Sequence, residues 1–157
     1  MSQALIGQLR ATQEYFTRSS SCLTEEDAGY TPTDGVYTVA QQVAHVAQTV
    51  DWFMDGGFKA DGFDMDFEAH DKEIRKVTSL AAAREWVVRA FDAGANLLAE
   101  KSDEELHSPL PEGLVMGGLP RASIVGGIVD HTAHHRGVLT AYSRGLGKVP
   151  SNPYMDM

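Results

Sequence analysis

ASIVGGIVDHTAHHRGVLTAYSRGL, residues 122–146, is the stretch whose reading decides the fold. Ile124, Ile128, Val138, Leu139 and Tyr142 share one face of an α-helix, and His131 and His135 lie on that face four residues apart. The spacing predicts a helix over 122–146, ended by Gly145 and Gly147, with both imidazoles turned toward a core. Two histidines at i and i+4 can grip one divalent ion. Burying both imidazoles is costly unless their nitrogens are satisfied, which a metal would do. The competing reading is chance pairing or a surface cluster, since three histidines, His131, His134 and His135, fall within five residues. The pair needs a third ligand to decide between them.

Moving toward the N-terminus, Thr38 and Gln41 form the Thr-x-x-Gln pattern of a capping box and open a second helix that Gly56-Gly57 are expected to stop after Asp55. His45 sits mid-helix with Gln41, Gln42, Gln48, Thr49 and Trp52, beside an apolar stripe of Val39, Val43, Val46, Val50 and Phe53. A polar strip beside a core stripe suits a cavity wall. Equally, His45 reads as a core histidine bonded to one of those amides. Two more periodic segments, Ser2 to Cys22 and Ser79 to Lys101, predict helices, whereas 58–77 reads as a loop with one short helix and 109–120 as a Pro/Gly connector. With no strand signal, the expectation is an all-α four-helix bundle in a single domain over residues 1–157, its packing order left open by long connectors.

The composition excludes several functions. The 157 residues, 43% hydrophobic, suffice for one core, and 22 acidic against 13 basic residues give a net charge of −9. That charge repels nucleic acid and anionic membranes. One cysteine, Cys22, offers neither an internal disulfide nor a CxxC element, and no apolar run approaches the ~20 residues that span a bilayer. A cytoplasmic location is expected.

The segments Thr38-Val-Ala-Gln-Gln-Val-Ala-His45 and Asp130-His-Thr-Ala-His-His-Arg-Gly137 together resemble the DinB/YfiT-like metalloenzymes. The likeness takes in the acidic turn and Pro/Gly loop before helix 2, the later Pro/Gly connector and the Pro-containing tail. It implies a four-helix bundle, commonly a homodimer, in which His45, His131 and His135 bind one divalent ion (Zn, Ni, Fe or Mn). Val138 occupies a position that is often Gln in the family, which leaves the ligands untouched.

Three histidine ligands leave an open coordination position, as in catalytic rather than closed structural sites. His131-Thr-Ala-His-His135 lacks the glutamate of the His-Glu-x-x-His peptidase motif, and no P-loop, GxGxxG or Gly-x-Ser-x-Gly elbow appears. Two readings follow: a metal-dependent enzyme, either a hydrolase or, as relatives imply, a thiol-dependent transferase acting on an unidentified small molecule; or a non-enzymatic metal-binding or stress-response protein. The general acid or base is unassigned. Of the other candidates, His134 reads as a surface or supporting residue near Asp130, and His70 as part of a solvated acidic loop. His107, after the cap-like turn Ser102-Asp-Glu-Glu105, reads as exposed, Arg136 as paired to an acid on a neighbouring helix ahead of a substrate role, and Trp52 and Tyr142 as core aromatics ahead of lining a cavity mouth.

Overall fold

The computed structural model describes residues 1–155, so the last two residues of the expected domain lie outside it. Among the described residues the regular structure is helical: α1 (Ser2–Ser20), α2 (Val39–Phe58), α3 (Phe67–Arg75), α4 (Leu80–Glu100), α5 (Asp103–His107) and α6 (Ser123–Gly145). One 3-10 turn covers Glu25–Asp27, and a lone β-bridge joins Pro109 and Pro120. The four long helices form the bundle. α2 packs on α4 and α6, and α1 packs on the same two, so the order around the bundle is α1, α4, α2, α6.

Local chemistry explains the starts. The Thr38–Gln41 box is formed as expected: the Thr38 hydroxyl accepts from the Gln41 N–H, and the Gln41 side chain accepts from the Thr38 N–H. Ser79 caps α4 by accepting from the Ala82 N–H. Leu9, Val43, Phe91, Leu98, Ile128 and Leu139 are fully excluded from solvent in the core. Each such Val, Leu or Phe side chain contributes about 1.5–3 kcal/mol through burial.

Two expectations need correction. Gly56 and Gly57 do not stop α2; it continues to Phe58 and ends where Lys59 turns extended. Both glycines are buried, and their role is close approach. A Cβ on Gly57 would lie 2.8 Å from the Ile124 side chain of α6, and one on Gly56 would overlap the Phe63 ring. The second correction is α5, a one-turn helix where only a cap-like turn is expected, nucleated by a capping box between Ser102 and Glu105. The short helix within 58–77 is present as α3. It is anchored by buried Ile74, by the Asp66 side chain accepting from the Ala69 N–H, and by Gln41 donating to the Arg75 carbonyl.

Candidate functional site

α2 and α6 bring His45, His131 and His135 together. The Nε2 atom of His131 lies 3.2 Å from Nε2 of His45 and 3.2 Å from Nε2 of His135, and one nitrogen from each ring falls within 4.8 Å of the others. The Thr49 hydroxyl is 3.4 Å from His131 Nε2. Burial pushes all three imidazoles below their ordinary pKa, His131 to about 4 and His135 to about 3; repulsion from His134 adds to the effect at all three, and repulsion within the triad adds to it at His131 and His135. They are neutral at pH 7, the form in which imidazole binds a metal.

Hydrogen bonding alone does not satisfy this cluster. His135 Nδ1 donates to Gln42 Oε1 at 2.6 Å, which leaves its Nε2 as a bare acceptor. A single N–H on His131 Nε2 would then have to serve both neighbours, and the Nδ1 atoms of His45 and His131 are buried with no partner. One cation shared by the three Nε2 atoms accommodates all three lone pairs. Ligands about 2.0–2.1 Å from a tetrahedral ion sit about 3.3 Å apart, close to the two distances from His131 Nε2 to its neighbours. These residues fit a divalent ion.

The Gln42 amide belongs to a longer line. Its Nε2 donates to the Tyr142 hydroxyl at 3.4 Å, and that hydroxyl donates to the Tyr37 carbonyl at 3.1 Å. The Tyr37 hydroxyl in turn donates to Asp71 Oδ1 on α3 at 2.7 Å. Burial and the Asp71 carboxylate together push the Tyr37 phenol up to about 12. A line of hydrogen bonds, joined at Tyr37 through that residue's own covalent frame, therefore runs from the most buried histidine to the short helix.

His45 and His131 open onto a cavity of about 890 Å³. Gln48, Thr49 and Trp52 line it, so the polar strip read on α2 is a cavity wall. Gly127 of α6 makes room for Phe53, whose ring would lie 2.6 Å from an added Cβ. The far wall comes from α3 through Phe67, His70 and Asp71. His70 is not merely solvated: its Nε2 donates to Asp64 Oδ2 at 3.1 Å, and the Trp52 indole donates to the Asp64 carbonyl at 2.6 Å.

The remaining candidates fall elsewhere. His134 lies at the cavity edge with its ring against His135, centroids 4.9 Å apart, and makes no ion pair with Asp130 among the described residues. His107 is exposed, its Nδ1 at the Asp103 carbonyl. Among the described residues Arg136 pairs with no acid. It donates to the Tyr154 hydroxyl at 3.0 Å and lies over the Tyr154 and Tyr15 rings, away from the cavity. Its signal was in the tail, where Tyr154 reaches back as a stacking partner. Tyr142 is core, as read, whereas Trp52 lines the cavity. Gln42, Tyr37 and Asp71 were missed as functional residues. For Gln42 the available signal was an amide three residues before His45 on a buried face.

A helical bundle with three imidazoles converging beside an open cavity defines a histidine-triad bundle. The chain belongs to the DinB superfamily, whose family profile matches residues 8–139. Its fold is similar to that of a crystallised DinB-like protein from Bacillus cereus ATCC 10987, with a TM-score of 0.72 and 18% identity over 98% of this chain and 97% of that one. No curated protein matches the chain.

Proposed function

We propose that His45, His131 and His135 hold one divalent ion and that the chain is a metal-dependent enzyme acting on a small molecule. The observation that carries this reading is the junction of triad and cavity: the nitrogens converge at ligand spacing, and two of the three rings face an open volume rather than packed core. A purely structural site is closed by its ligands. When bound, such an ion supplies Lewis acidity at its open position, where water or a thiol is acidified, so hydrolase and thiol-transferase chemistry both fit.

The chain's own residues have distinct tasks in this reading. Gln42 fixes the tautomer and orientation of His135, and Thr49 contacts His131. The Phe53, Phe67 and Trp52 rings exclude water from part of the cavity. His70, with Nε2 committed to Asp64, keeps Nδ1 to take a proton from a bound molecule. A homodimer in the cytoplasm completes the proposal, with sedimentation of the untagged chain as its check on oligomeric state.

Elemental analysis of protein purified without a histidine tag tests the centre: one ion per chain is expected, lost in His45→Ala. A thermal-shift screen of thiols, esters and amides should then give a stabilising ligand only with metal loaded. Absence of any ion, with His45→Ala unchanged in metal and fold, overturns the triad. His70→Gln should lower turnover of any substrate found while leaving metal content intact.

A further inference from the structure

A second, smaller cavity of about 170 Å³ lies between α1, α6 and the tail. Thr12 and Tyr15 stand about one turn apart on α1, Thr132 and Arg136 one turn apart on α6, and Tyr154 lines it from the tail. These groups converge: the Tyr15 and Tyr154 ring centroids are 5.0 Å apart, and the Arg136 guanidinium carbon lies 6.0 Å from the first and 5.4 Å from the second. No carboxylate lines this cavity.

Arg136 is left short of acceptors. Arg84 and Arg121, two other half-buried arginines that enter no ion pair, donate to backbone carbonyls, Arg84 to those of Ser20 and Leu23 and Arg121 to that of Gly57. Arg136 donates from Nη2 to the neutral Tyr154 hydroxyl, whose own proton has no acceptor among the described residues, and its other N–H groups have none there either. Thr132 is 2% exposed, and its hydroxyl also lacks a hydrogen-bond partner among the described residues. The Thr12 hydroxyl, by contrast, is spent on the Gln8 carbonyl. One guanidinium and two hydroxyls thus surround a volume with donors to spare, and unmatched donors on buried groups are costly.

A carboxylate is planar and acceptor-only, and a single guanidinium matches its one charge through a two-pronged bond. Phosphate brings a second charge that the cavity does not match. We propose that this cavity binds a small monocarboxylate, held by Arg136 with the Thr132 and Tyr154 hydroxyls, its short apolar end against Val129 and the Tyr15 ring. The site is independent of the ion proposed above.

Titration of the full chain with propionate, followed through the NMR signals of Tyr15 and Tyr154, tests it. Saturable shifts are expected, with propionamide, the neutral counterpart, and inorganic phosphate each binding at least about tenfold more weakly. Arg136→Gln should abolish saturation, and Thr132→Val, which keeps the shape, should weaken propionate several-fold; Arg89→Gln at an exposed position of α4 removes the same charge and should change nothing. Should Arg136→Gln also part the Tyr154 ring from Tyr15, Thr132→Val, which touches no tail bond, decides. No saturable shift, propionamide or phosphate binding as tightly as propionate, or an affinity untouched by Thr132→Val overturns the site. Propionate binding lost after chelator treatment would assign the carboxylate to the triad and overturn it as well, whereas failure of the metal reading alone would leave propionate binding intact.

Discussion

The two walls of the cavity are built by opposite means. The inner wall, α2 against α6, is buried and drawn tight by glycines, with Gly57 under Ile124 and Gly127 under Phe53. The outer wall, α3 and its loop, buries only Ile74 of its helix and is otherwise held by the Phe63 and Phe67 rings against Trp52 and by polar ties: Tyr37 to Asp71, Gln41 to the Arg75 carbonyl, Arg75 to the Gly35 carbonyl, and Trp52 to the Asp64 carbonyl. Close packing gives a unique, stiff arrangement, whereas exposed hydrogen bonds contribute little net stability and open readily. The triad nitrogens thus stand on the rigid wall together with Trp52, Phe53 and Asp130, and the yielding wall contributes Phe67, His70 and Asp71.

The largest expected effect comes from breaking the inner wall at its chemistry. His131→Ala removes the ring within 3.2 Å of both partners, and metal content measured by mass spectrometry should fall to background. Gln42→Leu keeps the volume but strips His135 of its acceptor, and a chelator competition should show metal affinity lower by about 10–100-fold. Gly57→Ala forces a methyl against branched, fully buried Ile124. Overpacking of about 1–3 kcal/mol, offset by up to about 1 kcal/mol of helix propensity, should lower the thermal midpoint by a few degrees. Tyr37→Phe, the mildest change, releases α3 from one tie. Amide exchange over 67–75 should quicken while the global midpoint moves by less than the Gly57→Ala shift; an equal loss for both variants would erase the distinction between the walls.

Legibility in the sequence divides along the same line. The inner wall rests on periodicity and capping, so α2, α6, the Thr38–Gln41 box and the His131/His135 face could all be read directly, with His45 reached through the family resemblance. Gly56 and Gly57 misled because the local rule for glycine at a helix end competes with a tertiary need for close approach, which only the position of Ile124 and Phe63 reveals. Of the outer wall only one short helix within 58–77 could be read; its ties could not, because they run between residues far apart in sequence: Tyr37 and Asp71 are 34 positions apart, and their pairing has no period. Arg136 escaped for a similar reason, its partner Tyr154 lying in a tail with no regular structure.

The path from His135 through Gln42, Tyr142 and Tyr37 to Asp71 crosses from one wall to the other. How firmly the proposed centre would keep an ion and how wide the cavity stands open are then not independent quantities. A molecule that lifts α3 on its way in pulls on the same thread that aims the deepest ligand, so the rate at which a chelator strips the site should rise when the cover is loosened. On this view, the chain with its proposed centre loaded and its cavity empty would have reason to stay shut.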